Sequence, residues 1–169
     1  MRKGHLSLFL LFAVLGCDAS VDPVKTDLLY NGHAFSVPQN PFVIASIGGD
    51  DNILILRYGP ERSVKYLAFS DIKGDKSVDF RCEPSVFFEV LFTASSREDC
   101  NQDELNAFKN VFIKNHDVGQ WGGSKLTVYF SIGKEQSFLF AFDDAGKSIK
   151  IDTDFLSKAE LKEVVDGAL

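Results

Sequence analysis

The chain is short of the residues on which most catalytic and metal chemistry depends. Its 169 residues hold three His, three Cys, one Met and one Trp. No Cys-x-x-Cys occurs, and neither His33 nor His116 has a Cys or His at ligand spacing, which leaves no zinc or dithiol motif. No Gly-x-Ser-x-Gly marks a nucleophile elbow, and neither Gly48-Gly49 nor Gly122-Gly123 continues into the Gly-Lys-Ser/Thr of a phosphate loop. Positive charge is scarce as well. The 18 Lys and Arg against 24 Asp and Glu give a net charge of -6 and a pI near 5.0, so the basic excess that holds nucleic-acid phosphates is missing. No apolar run approaches the roughly 20 residues of a membrane-spanning helix, since the longest, 6–15, is about half that length.

Apolar and aromatic side chains, by contrast, are plentiful. Hydrophobic residues make up 45% of the chain and 16 of them are Phe, which excludes the composition of a disordered protein and is enough to build the core of one domain.

The amino-terminal residues 1–17 (MRKGHLSLFLLFAVLGC) run from a basic start at Arg2 and Lys3 through the apolar stretch to Gly16 and Cys17, the three parts of a secretory signal peptide. The last four, Val14-Leu15-Gly16-Cys17, resemble the bacterial lipobox. That resemblance implies cleavage before Cys17, lipidation of its thiol, and a protein of the cell envelope held on a membrane by acyl chains and facing the periplasm. Two or three chains at about 0.8 kcal/mol per buried CH₂ anchor a protein durably where one does not. Removing residues 1–16 takes away Arg2 and Lys3 and no acid, so the expected mature charge is -8, from 16 basic against 24 acidic residues. Behind Cys17, residues 18–27 (DASVDPVKTD) are polar and aperiodic and read as a tether, with 28–169 as a single domain. Asp18 directly after the lipidated Cys matches the enterobacterial pattern for retention on the inner membrane.

With Cys17 assigned to lipid, Cys82 and Cys100 remain in an oxidising compartment, where a disulfide between them is the economical reading and two buried free thiols the alternative. Along the domain, Asn31-Gly32 between apolar arms in 28–37 marks a hairpin closed by Pro38 and Pro41. The runs 53–58 and 64–70 flank a Gly59-Pro60 turn and suggest a second hairpin. Residues 78–82 and 86–92 (VFFEVLF) read as strands, the latter central because it is apolar on both faces. Asn101 and Glu104 open a helix over 102–114, and three alternating runs around Val128, Phe140 and Ile151 form a meander. A second capping box, Ser157 with Glu160, precedes a helix over 158–166, with Leu156 and Leu161 as its hydrophobic staple and Gly167 at its C′ position. These elements predict an α+β fold, a largely antiparallel sheet of six to eight strands packed against two helices. The opening hairpin with Phe35-Ser36-Val37-Pro38 resembles the start of the Mog1/PsbP-like periplasmic lipoproteins. That resemblance is confined to the hairpin and implies an antiparallel sheet between helices, with no functional residue.

Candidate chemistry is thin. His33 beside a hairpin turn reads as a surface residue, and His116 as a partner of the first helix's C-terminal dipole. Asp50-Asp51-Asn52, Asp143-Asp144 and Asp152 with Asp154 lack calcium-loop spacing and read as turn formers. The Gly-rich loop 116–125 carries the lone Trp121, where it either anchors a partner or folds back as a cap on the core. No catalytic residue, metal or cofactor is expected. The sequence therefore points to a non-catalytic protein-binding lipoprotein, of immunity or inhibitor type, whose acidity suits a basic partner. The alternative is a carrier or sensor of a small apolar ligand held among the Phe side chains.

Overall fold

A computed structural model describes residues 24–60 and 65–169. The signal peptide, Cys17, most of the expected tether, and Glu61 and Arg62 of the second turn lie outside the described residues. Strands β1 (Lys25–Tyr30) and β2 (His33–Pro38) form a two-stranded antiparallel hairpin. Asn31 at φ 51° and Gly32 at φ 86° are its two-residue turn, the left-handed pair that matches strand twist. Residues 25–27, expected in the tether, are thus already strand.

The remaining strands make one seven-stranded sheet. They are β3 (Val43–Ile47), β4 (Ile53–Arg57), β5 (Tyr66–Asp71), β6 (Asp117–Gly122), β7 (Thr127–Ile132), β8 (Ser137–Phe142) and β9 (Ser148–Thr153). Their order is β3-β4-β5-β9-β8-β7-β6 and every neighbouring pair is antiparallel. The fold is therefore α+β, with nine strands among the described residues where six to eight were expected. Alternation dictates two faces. One face (Leu56, Leu67, Phe69, Val128, Leu139, Ile151) packs under the β1–β2 hairpin and the final helix. The other (Tyr129, Phe138, Phe140, Phe142) packs under the middle helices, so that all six residues of β8 are buried.

Three helices and one π-helical turn are described: α1 (Pro84–Thr93), α2 (Gln102–Phe108) followed by the π turn Lys109–Ile113, and α3 (Lys158–Asp166). Two corrections follow. Residues 78–82 are not a strand, and 86–92, expected as a central strand, lie in α1. Pro84 at its first turn and the exposed stripe Ser85, Glu89 and Thr93, four residues apart, are helical signals that the aromatic, β-branched composition masks. Packing overrides propensity there, since Phe87, Phe88, Val90 and Leu91 are all buried against the sheet and α2. The expected helix 102–114 starts at its predicted cap, Asn101 Oδ1 accepting from the Asp103 and Glu104 amides at 3.1 and 3.4 Å, but widens at Lys109. The Lys114 amide reaches back five residues to the Lys109 carbonyl (2.9 Å), and Phe112 then meets Phe138 and Phe140 edge-on at 4.8 and 5.1 Å.

Helix α3 spans its expected residues and begins with its expected cap. The Ser157 hydroxyl accepts from the Glu160 amide at 3.3 Å and the Glu160 carboxylate accepts from the Ser157 amide at 2.8 Å. The Ser157 side chain and amide together hold the Glu160 carboxyl below the ordinary glutamate range. Gly167 departs from the expected left-handed C′ geometry, because the chain passes through it at φ -71° and ψ -18°. Ser157→Ala is expected to cost about 1 kcal/mol in a urea titration, as loss of an N-cap does, whereas Gly167→Ala leaves stability unchanged.

Candidate functional site

The middle helices cover only part of their face. They lie over β7 and β8, and the register places Ile53 and Ile55 of β4, Ala68 of β5 and Lys150 of β9 on that same face beyond them. Between these strands runs a groove of about 480 Å³, floored by Ile53, Ile55 and Ala68 and edged by Arg57, Tyr66 and Asp152. It continues at Ile53, Ser70 and Lys150 into a recess of about 230 Å³ beneath the helices, walled by Phe80, Phe88, Phe108, Phe112 and Phe140. Asp51, Asp71 and Asp75 rim that recess.

The polar groups of this surface are held in place. Lys150 Nζ lies 3.0 Å from Asp152 Oδ2 and 5.7 Å from the centre of the Phe138 ring, at the junction of groove and recess. Gln136 Nε2 donates to the Tyr66 hydroxyl at 2.5 Å, while burial, then the charge and hydrogen bond of Asp152, keep that hydroxyl protonated far above the usual tyrosine range. Asp71 Oδ1 accepts from the Lys73 amide (3.0 Å) and the Ser148 hydroxyl (2.9 Å), which holds that side chain in place. Neither lining includes a His or a Cys. The arrangement suits an apolar side chain inserted between sheet and helices, with a neighbouring cation against the rim acids.

Other sequence-derived candidates are dispersed. Cys82 and Cys100 form a disulfide with Cα atoms 4.9 Å apart, tying the residues before α1 to the residue before the α2 cap. Trp121 is not on a loop. It lies in edge strand β6, half-buried and stacked on Phe130 with ring centres 4.6 Å apart, so of its two readings the core cap is the one built here. Two of the glycines that suggested a loop serve close approach instead, since a Cβ on Gly119 would sit 2.5 Å from Phe130 Cζ and one on Gly123 would run into the Leu169 carbonyl oxygen.

His33 is not a surface residue either. Its side chain is 12% exposed and Nε2 lies 3.0 Å from Asp143 Oδ2. Burial pushes the Asp143 carboxyl up, but the Lys147 amide and His33 outweigh it and hold the group below the usual carboxylate range. The cleft beside Asp143 is lined by Ser85, Thr127 and Tyr129, and His33 is not among its lining residues. His116 Nδ1 hydrogen-bonds the Lys114 carbonyl at 3.0 Å, at the end of the π turn. Two of the acid clusters sit at turns, where Asp143 Oδ1 accepts from the Lys147 amide (2.7 Å) and the Asn52 amide donates to the Gly49 carbonyl (3.3 Å), but the third does not: Asp152 lies within β9, and Asp154 Oδ1 accepts from the sequence-distant Tyr66 amide (2.8 Å). Among the described residues no three His, Cys, Asp or Glu side chains converge as a metal site, and no helix is long and apolar enough to cross a membrane.

The groove itself was not visible in the sequence, because it is defined by where the helices stop. One signal pointed to it: 53–56 (ILIL) is apolar on both faces although one face lies open. Comparison of the chain with protein families, curated proteins and solved structures finds no match.

Proposed function

We propose that this is a lipid-anchored protein of the bacterial cell envelope, facing the periplasm from the inner membrane, that binds another protein without catalysis, in the manner of an immunity or inhibitor lipoprotein. The lipobox ending at Cys17 supports the anchor and Asp18 the inner membrane. The acid-rimmed apolar groove over β4, β5 and β9 carries the binding role. A contiguous apolar surface with a charged rim is the make-up of a protein interface, and the mature charge of -8, from 16 basic against 24 acidic residues, steers a basic partner toward it. Capture from envelope extracts with the anchored protein should recover one stoichiometric basic protein at low salt. Recovery should fall as salt rises toward 1 M, where the screening length shrinks to about 3 Å. Repeated capture of no protein contradicts the reading. For the anchor, Cys17→Ser should abolish labelling by a palmitate analogue, and persistent labelling contradicts it.

The ring-walled recess favours a second reading, a carrier or sensor of a small apolar molecule. At about 230 Å³ it is smaller than the roughly 300–1,000 Å³ typical of such sites, although the adjoining groove falls within that range. Native mass spectrometry revealing a bound apolar molecule would favour this reading over protein binding.

A further inference from the structure

We propose that two copies of the chain pair antiparallel along β3 about a two-fold axis at Ala45, joining the two seven-stranded sheets into one. This inference is independent of the partner-binding role of the groove.

Strand β3 is the terminal strand of the sheet and no described strand pairs with its outer side. Phe42, Val43, Ile44 and Ile47 are 64%, 40%, 65% and 54% exposed, four of the seven exposed large hydrophobics within six residues. Ile44 lies on one face and Val43 and Ile47 on the other, so the strand projects past both covering layers as an apolar ribbon. Soluble proteins guard such edges with charge, Pro or a cover. The opposite edge, β6, has its guard: Asp117 pairs with Lys158 at 2.8 Å, and the Lys158 ammonium sits 4.2 Å from the centre of the Phe130 ring. Among the described residues β3 (Val43–Ile47) carries no charged residue or Pro, and no strand covers its outer side.

Charge selects the occupant. From Gln39 to Gly49 there is no charged residue, although the chain as a whole carries -6. An acidic protein meets its own copy with least repulsion along such a stretch, whereas a basic partner finds no counter-charge there.

Symmetry then fixes the register. A two-fold axis perpendicular to the sheet keeps each side chain on its own face, and cross-strand partners must share a face, so the axis passes through a residue paired with itself. Centring on Ala45 pairs all five residues of β3. Val43 then faces Ile47 of the other copy, a β-branched pair, and two small Ala45 side chains meet at the axis. One step out, the exposed Phe42 lies opposite Gly48, where nothing occupies the space of a Cβ within 4 Å, so the ring can lie across the glycine backbone. The two grooves come to lie on the same side of the joined sheet.

A disulfide trap tests this register in the full-length protein in the envelope. Self-paired residues of an antiparallel ladder have Cα atoms about 4.5–5.5 Å apart, within disulfide range, while residues two positions out of register do not. Ala45→Cys should give a reducible dimer on a non-reducing gel at a yield roughly tenfold above Ser46→Cys, and wild type, with Cys82 and Cys100 already paired, should give none. Adding Ile47→Lys to Ala45→Cys should remove the dimer. In sedimentation of the detergent-solubilised protein, wild type should show dimer and Ile47→Lys monomer. No dimer from folded Ala45→Cys, equal yields from the two Cys variants, or wild type that sediments only as monomer overturns the proposal. Each of these leaves partner capture by the groove unaffected.

Discussion

Phe140→Ala is expected to destabilise the protein by about 3–5 kcal/mol, the usual cost of deleting a fully buried ring. Phe140 sits in β8, the strand buried on both faces, and is 1% exposed. Its ring stacks on Phe88 at 4.3 Å and contacts Phe112 at 5.1 Å and Phe92 at 5.9 Å, so both α1 and the π turn lose their common support on the sheet. The vacated space adjoins the recess that Phe140 already lines, which limits collapse of the helices into it. Against a total stability of roughly 5–15 kcal/mol such a loss is severe, and at about 2–4 °C per kcal/mol the midpoint should fall by roughly 10 °C. A urea titration gives the value. A cost under about 1.5 kcal/mol would mean that the helical layer is not packed on the sheet as described.

Removing the disulfide by Cys82→Ala with Cys100→Ala is expected to cost about 3 kcal/mol, within the 2–5 range for native bridges in small extracellular domains. The bridge closes a loop with sequence separation 18 that contains the whole of α1, an element otherwise held only by its apolar face. It is reinforced by two hydrogen bonds from Asn101, its amide to the Phe80 carbonyl and its side chain to the Asp79 carbonyl, both 3.0 Å. These pin the start of α2 beside the start of α1. Reduction of the wild-type protein should produce the same loss as the double substitution, and loss of less than about 0.5 kcal/mol in either experiment would show that packing alone secures the layer.

The parts of the fold that were legible in the sequence are those specified by local chemistry. Asn31-Gly32 can turn left-handed, Ser157 and Glu160 can satisfy each other's amides, and the alternation through 126–151 leaves one pairing that buries both sets of rings. Where tertiary packing decides, the reading failed. The sequence 86–92 has a strand's composition and a helix's solvent stripe, and burial on Phe140, Phe142 and Tyr129 settles between them in favour of the stripe. Gly119 looks like a loop residue until Phe130 is seen to need the space above it. β3 escaped notice because Pro41 and Gly48-Gly49 bracket only six residues of apolar run, too short to separate strand from loop. The groove was illegible for a related reason. Each lining residue reads as core, and only the lateral extent of the helical layer leaves Ile53, Ile55 and Ala68 facing outward. The disulfide, by contrast, followed from the cysteine count and the compartment that the leader leads one to expect.

The central claim is that the groove over β4, β5 and β9 is where a partner protein docks, and a single comparison tests it. Ile55 lies at the middle of the groove floor, is half-buried and is no part of either core, so Ile55→Arg places a long cation in the apolar floor while leaving the fold supported. Wild type and Ile55→Arg, matched for circular dichroism and for the mobility shift on reduction, are used side by side to capture proteins from envelope extracts. The account predicts one stoichiometric protein on wild type and at least a hundredfold weaker retention by Ile55→Arg, the loss expected from about 2.7 kcal/mol at an interface centre. Equal retention of the same protein by both would place the docking surface elsewhere and contradict the account.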